Sequence, residues 1–227
     1  MWDAPKSITA RPIRAGERPL MSYLQAAERR LTDLLDPDDA AQVIRRILRV
    51  NDAGERGGVA LYRAQLMVAR WRCPEVVPFL ESTRDHEAHH ARRFRALMPS
   101  RGAKVCRLPW IWTAGALLMG LSTALFGARA VYLCTEVVER SVHQHLSIQL
   151  AFVRDHDPEL AALITSVAAD EAEHFEHAVR MRGDRRAPLG GLFDAAITAS
   201  TEVLMWLSTC GDIARLARRL DIEGVAA

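Results

Sequence analysis

Apolar side chains recur every three or four residues along most of the chain, the spacing that places them on one face of an α-helix. Proline and glycine clusters separate the helical runs. The pattern predicts four long helices, over about 40–72, 74–98, 109–156 and 158–182. It also predicts a shorter helix before them, at about 20–35, and one after them, at about 189–220. The sequence therefore indicates an all-α protein.

One stretch of the third helix carries no charged side chain. This uncharged run lies between Arg107 and Arg129 and is long enough to cross a bilayer. However, it contains several glycines and hydroxyl side chains, and it continues without a predicted turn toward Glu136 and Glu139. We therefore expect a buried helix or a helix on a membrane surface, rather than a membrane span.

The composition argues against several classes of protein, including nucleic-acid-binding and disulfide-rich proteins. Hydrophobic residues make up 49% of the 227 residues, which suffices for a continuous core. The formal net charge of +2 gives no electrostatic basis for binding nucleic acid. The four cysteines are widely spaced, as expected for thiols in a reducing compartment rather than for a disulfide framework. The N-terminal residues contain no apolar segment typical of a secretory signal.

The chain contains two Glu-x-x-His motifs, Glu87–His90 and Glu171–His174, each in the middle of a predicted helix. Residues three apart share a helix face, so the carboxylate and the imidazole of each motif can bind one metal ion. One such motif alone would be weak support, because solvated surface pairs are common.

The spacing of the motifs is more specific, since their residue numbers differ by 171 − 87 = 84. An equal step back from each glutamate, 87 − 32 = 55 and 171 − 32 = 139, reaches a glutamate both times. A glutamate from each of two helices and Glu-x-x-His from each of two others is the ligand pattern of di-iron and di-manganese carboxylate bundles. The predicted ligands are Glu55, Glu87, His90, Glu139, Glu171 and His174.

This duplication predicts a ferritin-like four-helix bundle with an extra N-terminal helix and an apolar C-terminal helix. We expect a loose arm at 1–18, a single domain of two duplicated helix pairs at 19–220, and a tail at 221–227. Glycines at 54, 57 and 58 flank Glu55, and we interpret them as positions where a backbone or ligand must approach closely.

Several neighbours of the ligands have two interpretations. Asp170 is a candidate acceptor for the free N–H of a ligating histidine. Asp52 and Glu136 are related by the same offset of 84, and they either play that same role or lie on the helix surface. His143 and His145 either line the site or lie on an exposed face.

Five stretches resemble the demethoxyubiquinone hydroxylase family of ubiquinone biosynthesis, in order and with similar gaps over about 40–220. They are RVNDAGERGGVALYRAQ, RDHEAHHARRF, PWIWTAGALLMGLSTALFG, CTEVVERSVHQH and ADEAEHFEHA. The resemblance implies a centre of two iron ions held by the six predicted ligands. His145 matches the family's histidine beside the centre, and Tyr62, two turns along from Glu55, is a second candidate catalytic residue. The family usually has histidine at Asp52 and tyrosine at Leu146, which leaves the exact substrate and electron route open.

The resemblance further implies an O₂-dependent monooxygenase that hydroxylates the ring of a lipophilic quinone, with electrons from NADH or a reductase. The alternatives on the same ligands are a rubrerythrin-like peroxidase and a non-enzymatic iron-binding or storage protein. Arginines flank two apolar stretches, 108–128 and 189–210. Apolar helices with basic residues at their edges favour docking on an anionic membrane. We expect the cytoplasmic face of a bacterial inner membrane, or the matrix face in mitochondria. The other use of such surfaces is a homo-oligomer or a contact with a biosynthetic partner.

Overall fold

The computed structural model describes residues 37–107, 109–183, 195–201 and 203. It contains five long helices, here called α1 (Pro37–Arg72), α2 (Val77–Leu97), α3 (Pro109–Leu125), α4 (Ala128–His156) and α5 (Pro158–Arg182). Short 3₁₀ turns at Pro74–Val76 and Pro99–Arg101 flank α2, and residues 195–201 are also helical. No strand occurs in these ranges, so the predicted all-α bundle is confirmed there. The predicted helix at 20–35, the arm at 1–18, the tail at 221–227 and most of the helix at 189–220 lie outside them.

Local chemistry explains where the helices begin and end. The carboxylate of Asp157 accepts a hydrogen bond from the Leu160 backbone N–H at 3.0 Å, and Pro158 opens α5. This is the expected arrangement of an N-cap followed by proline. Gly102 ends the turn after α2 in the left-handed region, with a φ of 62°. Arg101 then makes two hydrogen bonds to Asp157, at 2.6 and 2.9 Å, and joins the end of α2 to the start of α5.

The prediction of one continuous helix over 109–156 is wrong. The chain breaks after α3, where Gly127 has a φ of 90° before α4 begins. This left-handed conformation is accessible to glycine but strained for other residues. The break makes α3 a separate helix that packs against α1, so the four helices that carry the predicted ligands are α1, α2, α4 and α5.

Packing of α3 on α1 depends on one glycine. A Cβ added at Gly120 would lie 2.5 Å from the carbonyl oxygen of Leu61 and 2.7 Å from the Cβ of Ala64. Only glycine allows the two backbones to approach this closely. Nearby, the buried amide of Gln65 donates to the Thr123 hydroxyl at 3.1 Å. The uncharged helix is therefore fixed to the bundle along α1.

Two helical hairpins form the rest of the bundle. In one, α1 packs against α2, and in the other, α4 packs against α5. Each hairpin thus corresponds to one half of the predicted duplication. In the part of the chain that the structure describes, no helix is both long enough and apolar enough to cross a membrane.

Candidate metal centre

The six predicted ligands lie together inside the bundle, and each is at most 6% exposed. Their oxygen and nitrogen atoms form two groups, within which all candidate ligand atoms lie within 4.8 Å of one another. The four-residue group contains Glu87, Glu139, Glu171 and His174, and the three-residue group contains Glu55, His90 and Glu171.

Glu171 belongs to both groups. One of its carboxylate oxygens lies 3.1 Å from His90 Nδ1, and the other lies 3.0 Å from His174 Nδ1. His90 Nδ1 is also 3.2 Å from Glu55 Oε2. The three ligands from one half of the repeat and the three from the other half therefore do not form separate groups. Glu87 lies with the ligands of the other half, and Glu171 is shared between the two groups.

The glutamates are too close and too deeply buried to be ionised together. Burial, followed by the charges of Glu171 and other neighbours, raises the pKa values of Glu87 and Glu139 well above the usual range. Burial also raises the pKa of Glu55, to about 7. Desolvation opposes ionisation of Glu171 too, but its interactions with His174, His90 and Glu139 outweigh it and lower its pKa to about 2. Protons occupy the cluster where cations are absent, so metal ions would bind in exchange for them.

Small residues on α1 make room for the cluster. A Cβ at Gly58 would overlap the Glu87 carboxylate, so glycine is required for this side chain to lie against α1. A Cβ at Gly57 would lie 3.0 Å from the Trp112 ring. These two glycines are therefore close-approach positions, but side chains rather than a backbone or a ligand approach them. For Gly54 the prediction of a close backbone contact is wrong, because no described atom beyond its own stretch of helix lies within 4 Å of its Cβ position. Approach of a ligand to Gly54 stays a prediction.

Both candidate catalytic residues lie near the cluster. The buried Tyr62 hydroxyl donates a hydrogen bond to Glu139 Oε1 at 2.6 Å. Burial, followed by the charges of Glu139 and Glu87, raises the Tyr62 pKa well above its usual value, so the hydroxyl remains a donor. His145 is half-buried and lines a cavity next to the cluster, whereas His143 is exposed. The repeat relates Tyr62 to position 146, since 62 + 84 = 146, and Leu146 is buried there.

The cavity connects the carboxylates to apolar walls from α1, α3 and α4. Glu55, Glu87, Glu139 and Glu171 form part of its lining. The remaining lining is mainly apolar and includes Val50, Leu61, Trp112, Ala116, Met119, Val138, Val142 and Leu146. A molecule in this cavity would contact mainly hydrocarbon side chains, together with carboxylates of the cluster.

Polar side chains contact both histidines from outside the cluster. Asp170 Oδ2 lies 2.9 Å from His90 Nε2, which places it where the sequence predicts an acceptor for a ligating histidine. His86 Nδ1 lies 2.9 Å from His174 Nε2. The Glu-x-x-His motifs by themselves do not indicate His86, and the sequence prediction missed it. The repeat contains the signal, because 170 − 84 = 86.

Asp52 and Glu136 have a role that the sequence did not reveal. Both are 1% exposed, and neither belongs to either ligand group. Asp52 accepts two hydrogen bonds from Arg95, at 2.6 and 2.8 Å, and Glu136 lies 2.5 Å from Arg182 Nε. The first pair joins α1 to α2 and the second joins α4 to α5. They are therefore buried carboxylates in ion pairs within the hairpins, with a half-buried arginine in the first pair and a buried one in the second, and they are neither surface carboxylates nor acceptors for the predicted ligating histidines.

Four helices in two hairpins, around a buried cluster of four glutamates and two histidines, define a helical-bundle protein with a site that could bind metal. Family comparison agrees with this class. The model of the family Ubiquinone biosynthesis protein COQ7 matches residues 42–208, and the chain belongs to this family.

Curated relatives have related names. A Rhodospirillum rubrum protein called 3-demethoxyubiquinol 3-hydroxylase is 33% identical over 173 residues, covering 76% of this chain and 80% of the relative. The mitochondrial 5-demethoxyubiquinone hydroxylase of Saccharomyces cerevisiae is 31% identical, covering 63% and 68%. The human mitochondrial NADPH-dependent 3-demethoxyubiquinone 3-hydroxylase is 30% identical, covering 72% and 76%.

Proposed function

We propose that this chain is a monooxygenase that uses two iron ions and O₂ to hydroxylate the ring of a demethoxyubiquinone-like quinone. One oxygen atom enters the ring as a hydroxyl group, and the other leaves as water after two electrons and two protons are supplied. The electron donor is reduced nicotinamide or a reductase. The observation that carries the proposal is the buried glutamate–histidine cluster, whose glutamates line a mainly apolar cavity. The hydroxylase names of the relatives support the same reaction class.

The residues of the cluster fit two cations. Glu55 Oε2 and His90 Nδ1 are buried and make no hydrogen bond of good geometry to a described residue. Buried polar atoms whose contacts lack good hydrogen-bond geometry are costly, and a cation between these two atoms, which lie 3.2 Å apart, would remove that cost. Carboxylate oxygens and imidazole nitrogens suit iron, and iron supplies the electron transfer to O₂ that redox-inert zinc could not supply. We assign the metal ions to Glu55, Glu87, His90, Glu139, Glu171 and His174.

Tyr62 and His145 have different places in the proposed reaction. Tyr62 orients the Glu139 carboxylate by donating a hydrogen bond to one of its oxygens. His145 lies on the cavity wall, where it can hold or transfer a proton next to a bound ring. Leu146 leaves the adjoining wall apolar at the position where the family usually has tyrosine. The Asp52 departure does not change the cluster, because that carboxylate is paired with Arg95.

The reaction is tested with purified protein loaded anaerobically with ferrous ion. We expect it to convert a short-tailed demethoxyubiquinone to the ring-hydroxylated product with NADH as reductant, and to incorporate one oxygen atom from isotopically labelled O₂. Tyr62→Phe keeps the ring but removes the donor to Glu139. It should lower turnover by about tenfold to a hundredfold, while the iron content stays at the wild-type level.

Mass spectrometry of the quinone product provides the measurement. Label in water alone, or peroxide consumption without any oxidised quinone, would contradict the hydroxylase proposal and indicate the peroxidase alternative. Iron binding without catalytic O₂ turnover would indicate the storage alternative.

We also propose that the outer side of α3 docks on a membrane. Exposed apolar residues recur at helical spacing along α3 and directly after its end, namely Trp110, Leu117, Leu118, Leu125 and Phe126. Arg107 and Arg129 are exposed near the two ends of this surface. A hydrophobic stripe with basic residues at its edges suits an anionic lipid surface. The opposite side of α3 contributes Trp112 and Ala116 to the cavity, so docking would bring the cavity close to a lipophilic quinone. The second predicted docking stretch, 189–210, lies mostly outside the described residues.

Liposome co-sedimentation tests the membrane surface. Leu118 is 71% exposed, and Leu118→Glu should lower the bound fraction on anionic liposomes by about tenfold, because apolar burial is lost and a charge must be desolvated. Met181→Glu is the matched control, since Met181 is a 56% exposed apolar residue on α5. If the wild type stays in the supernatant and forms a discrete oligomer without detergent, the surface is an interface between copies.

A further inference from the structure

The two histidines of the cluster are contacted by different side chains at equivalent positions. His90 and His174 are related by the repeat, since 174 − 90 = 84, and so are His86 and Asp170. His90 Nε2 lies 2.9 Å from Asp170, and His174 Nε2 lies 2.9 Å from His86. In both halves the Nδ1 atom of the histidine faces the glutamates, and its Nε2 atom faces the side chain outside the cluster, either Asp170 or His86. The geometry is the same in the two halves, but the chemistry of the acceptor is not.

The identity of the acceptor determines how strongly the histidine can bind a cation. An imidazole that ligates a metal through Nδ1 carries its remaining proton on Nε2 and donates it to a neighbour. Asp170 can accept that proton with a charged carboxylate, which increases the electron density on His90. His86 can accept it only with a neutral imidazole nitrogen, which forms a weaker hydrogen bond.

We propose that His86 is the positioning residue for His174, and that the replacement of a carboxylate by an imidazole makes the two metal positions inequivalent. This inference rests on the two-metal site proposed above. One metal ion is then bound by His174, whose hydrogen-bond acceptor is the weaker one. The other ion is bound by His90, whose acceptor is the stronger one.

Packing does not explain the position of His86. Its side chain lies on the exposed side of α2, while the Asp170 side chain is 41% exposed. The His86 and His174 rings are nearly parallel, with centroids 5.1 Å apart, and their nearest nitrogen atoms are within hydrogen-bond distance at 2.9 Å. A solvated histidine on α2 has no need of that contact. Because the position is exposed, it can be changed without disturbing the core.

The test is an anaerobic calorimetric titration of the metal-free full chain with ferrous ion, fitted to two binding steps. His86→Ala removes the acceptor and should weaken one step by about tenfold. His86→Asp supplies the carboxylate found in the other half and should tighten that same step by about tenfold. Asp170→Ala should weaken the other step and leave the first within about threefold. A purely structural contact would not respond to the two His86 substitutions in opposite directions.

His89→Asp is the matched control, because it makes the same change of residue on an exposed position of the same helix. It should leave both steps within about threefold, since no carboxylate is placed behind His174. The inference is overturned if His86→Asp and His89→Asp act alike, if His86→Ala and His86→Asp shift affinity in the same direction, or if Asp170→Ala affects the same step as His86. A wild-type protein that binds fewer than two ferrous ions would instead contradict the two-metal site itself.

Discussion

Glu171→Ala should remove both metal ions from the protein. Glu171 contacts His90 with one oxygen and His174 with the other, and it is the only residue found in both ligand groups of the described chain. Its loss deprives each metal position of a carboxylate and leaves two buried histidines without that partner. Metal analysis after anaerobic iron loading and desalting should give two iron ions per wild-type chain and less than about a tenth of that in the variant.

Glu173→Ala is the control for Glu171→Ala. Glu173 lies on the same helix two positions away, but its side chain is exposed and belongs to neither ligand group. This control should retain the wild-type iron content. Retention of one iron ion by Glu171→Ala would show that the groups bind independently, and wild-type content would exclude Glu171 as a ligand.

Glu139→Ala and Glu136→Ala should have different effects on metal binding and stability. Glu139 is a member of the four-residue group and the acceptor of the Tyr62 hydrogen bond, so its loss should reduce iron-dependent O₂ consumption to background. Glu136 contacts Arg182 outside the cluster, and the Arg182 side chain is only 7% exposed. Removing one partner of a buried ion pair typically costs about 3–5 kcal/mol of unfolding free energy. Glu136→Ala should therefore be less stable while keeping two iron ions per folded chain.

Denaturant unfolding of the metal-free proteins, together with O₂-electrode measurements on the loaded ones, separates these effects. Each variant serves as the control for the other, because both remove a glutamate from α4 one turn apart. If Glu136→Ala were as stable as the wild type but could not bind iron, Glu136 would face the cluster, and the assignment of Glu139 to that face of α4 would be wrong.

The sequence was sufficient to predict which side chains cluster because their constraint is periodic. A metal centre between four helices requires the same residue types at the same offsets, and a duplication repeats them at a constant difference in residue number. The Asp52–Arg95 and Glu136–Arg182 pairs lack such a signal. Their separations differ, 95 − 52 = 43 and 182 − 136 = 46, in a chain with 30 − 2 = 28 arginines after subtracting Lys6 and Lys104. Any of many arginines could have paired with either carboxylate.

The helix break at Gly127 was not predictable from composition either. Gly115 and Gly120 in the same uncharged run remain helical, and position 120 requires glycine because it packs directly against the α1 backbone. Gly127 has no described atom within 4 Å of its Cβ position and instead adopts a positive φ. Gly120 and Gly127 thus differ in their tertiary contacts, about which helical periodicity carries no information.

The shared arrangement of the two ligand groups has a consequence for how such a chain could have arisen. Each group takes at least one carboxylate from the other hairpin, because Glu87 lies with the residues of α4 and α5 while Glu171 lies with those of α1 and α2. A solitary hairpin would therefore lack part of each group, and two copies would have to pair before either was complete. Gene duplication and fusion would place that pairing within one polypeptide, after which the halves were free to diverge. The two halves now have His86 where the repeat has Asp170, and Tyr62 where the repeat has Leu146. A symmetric dimer of identical chains could not have had such differences.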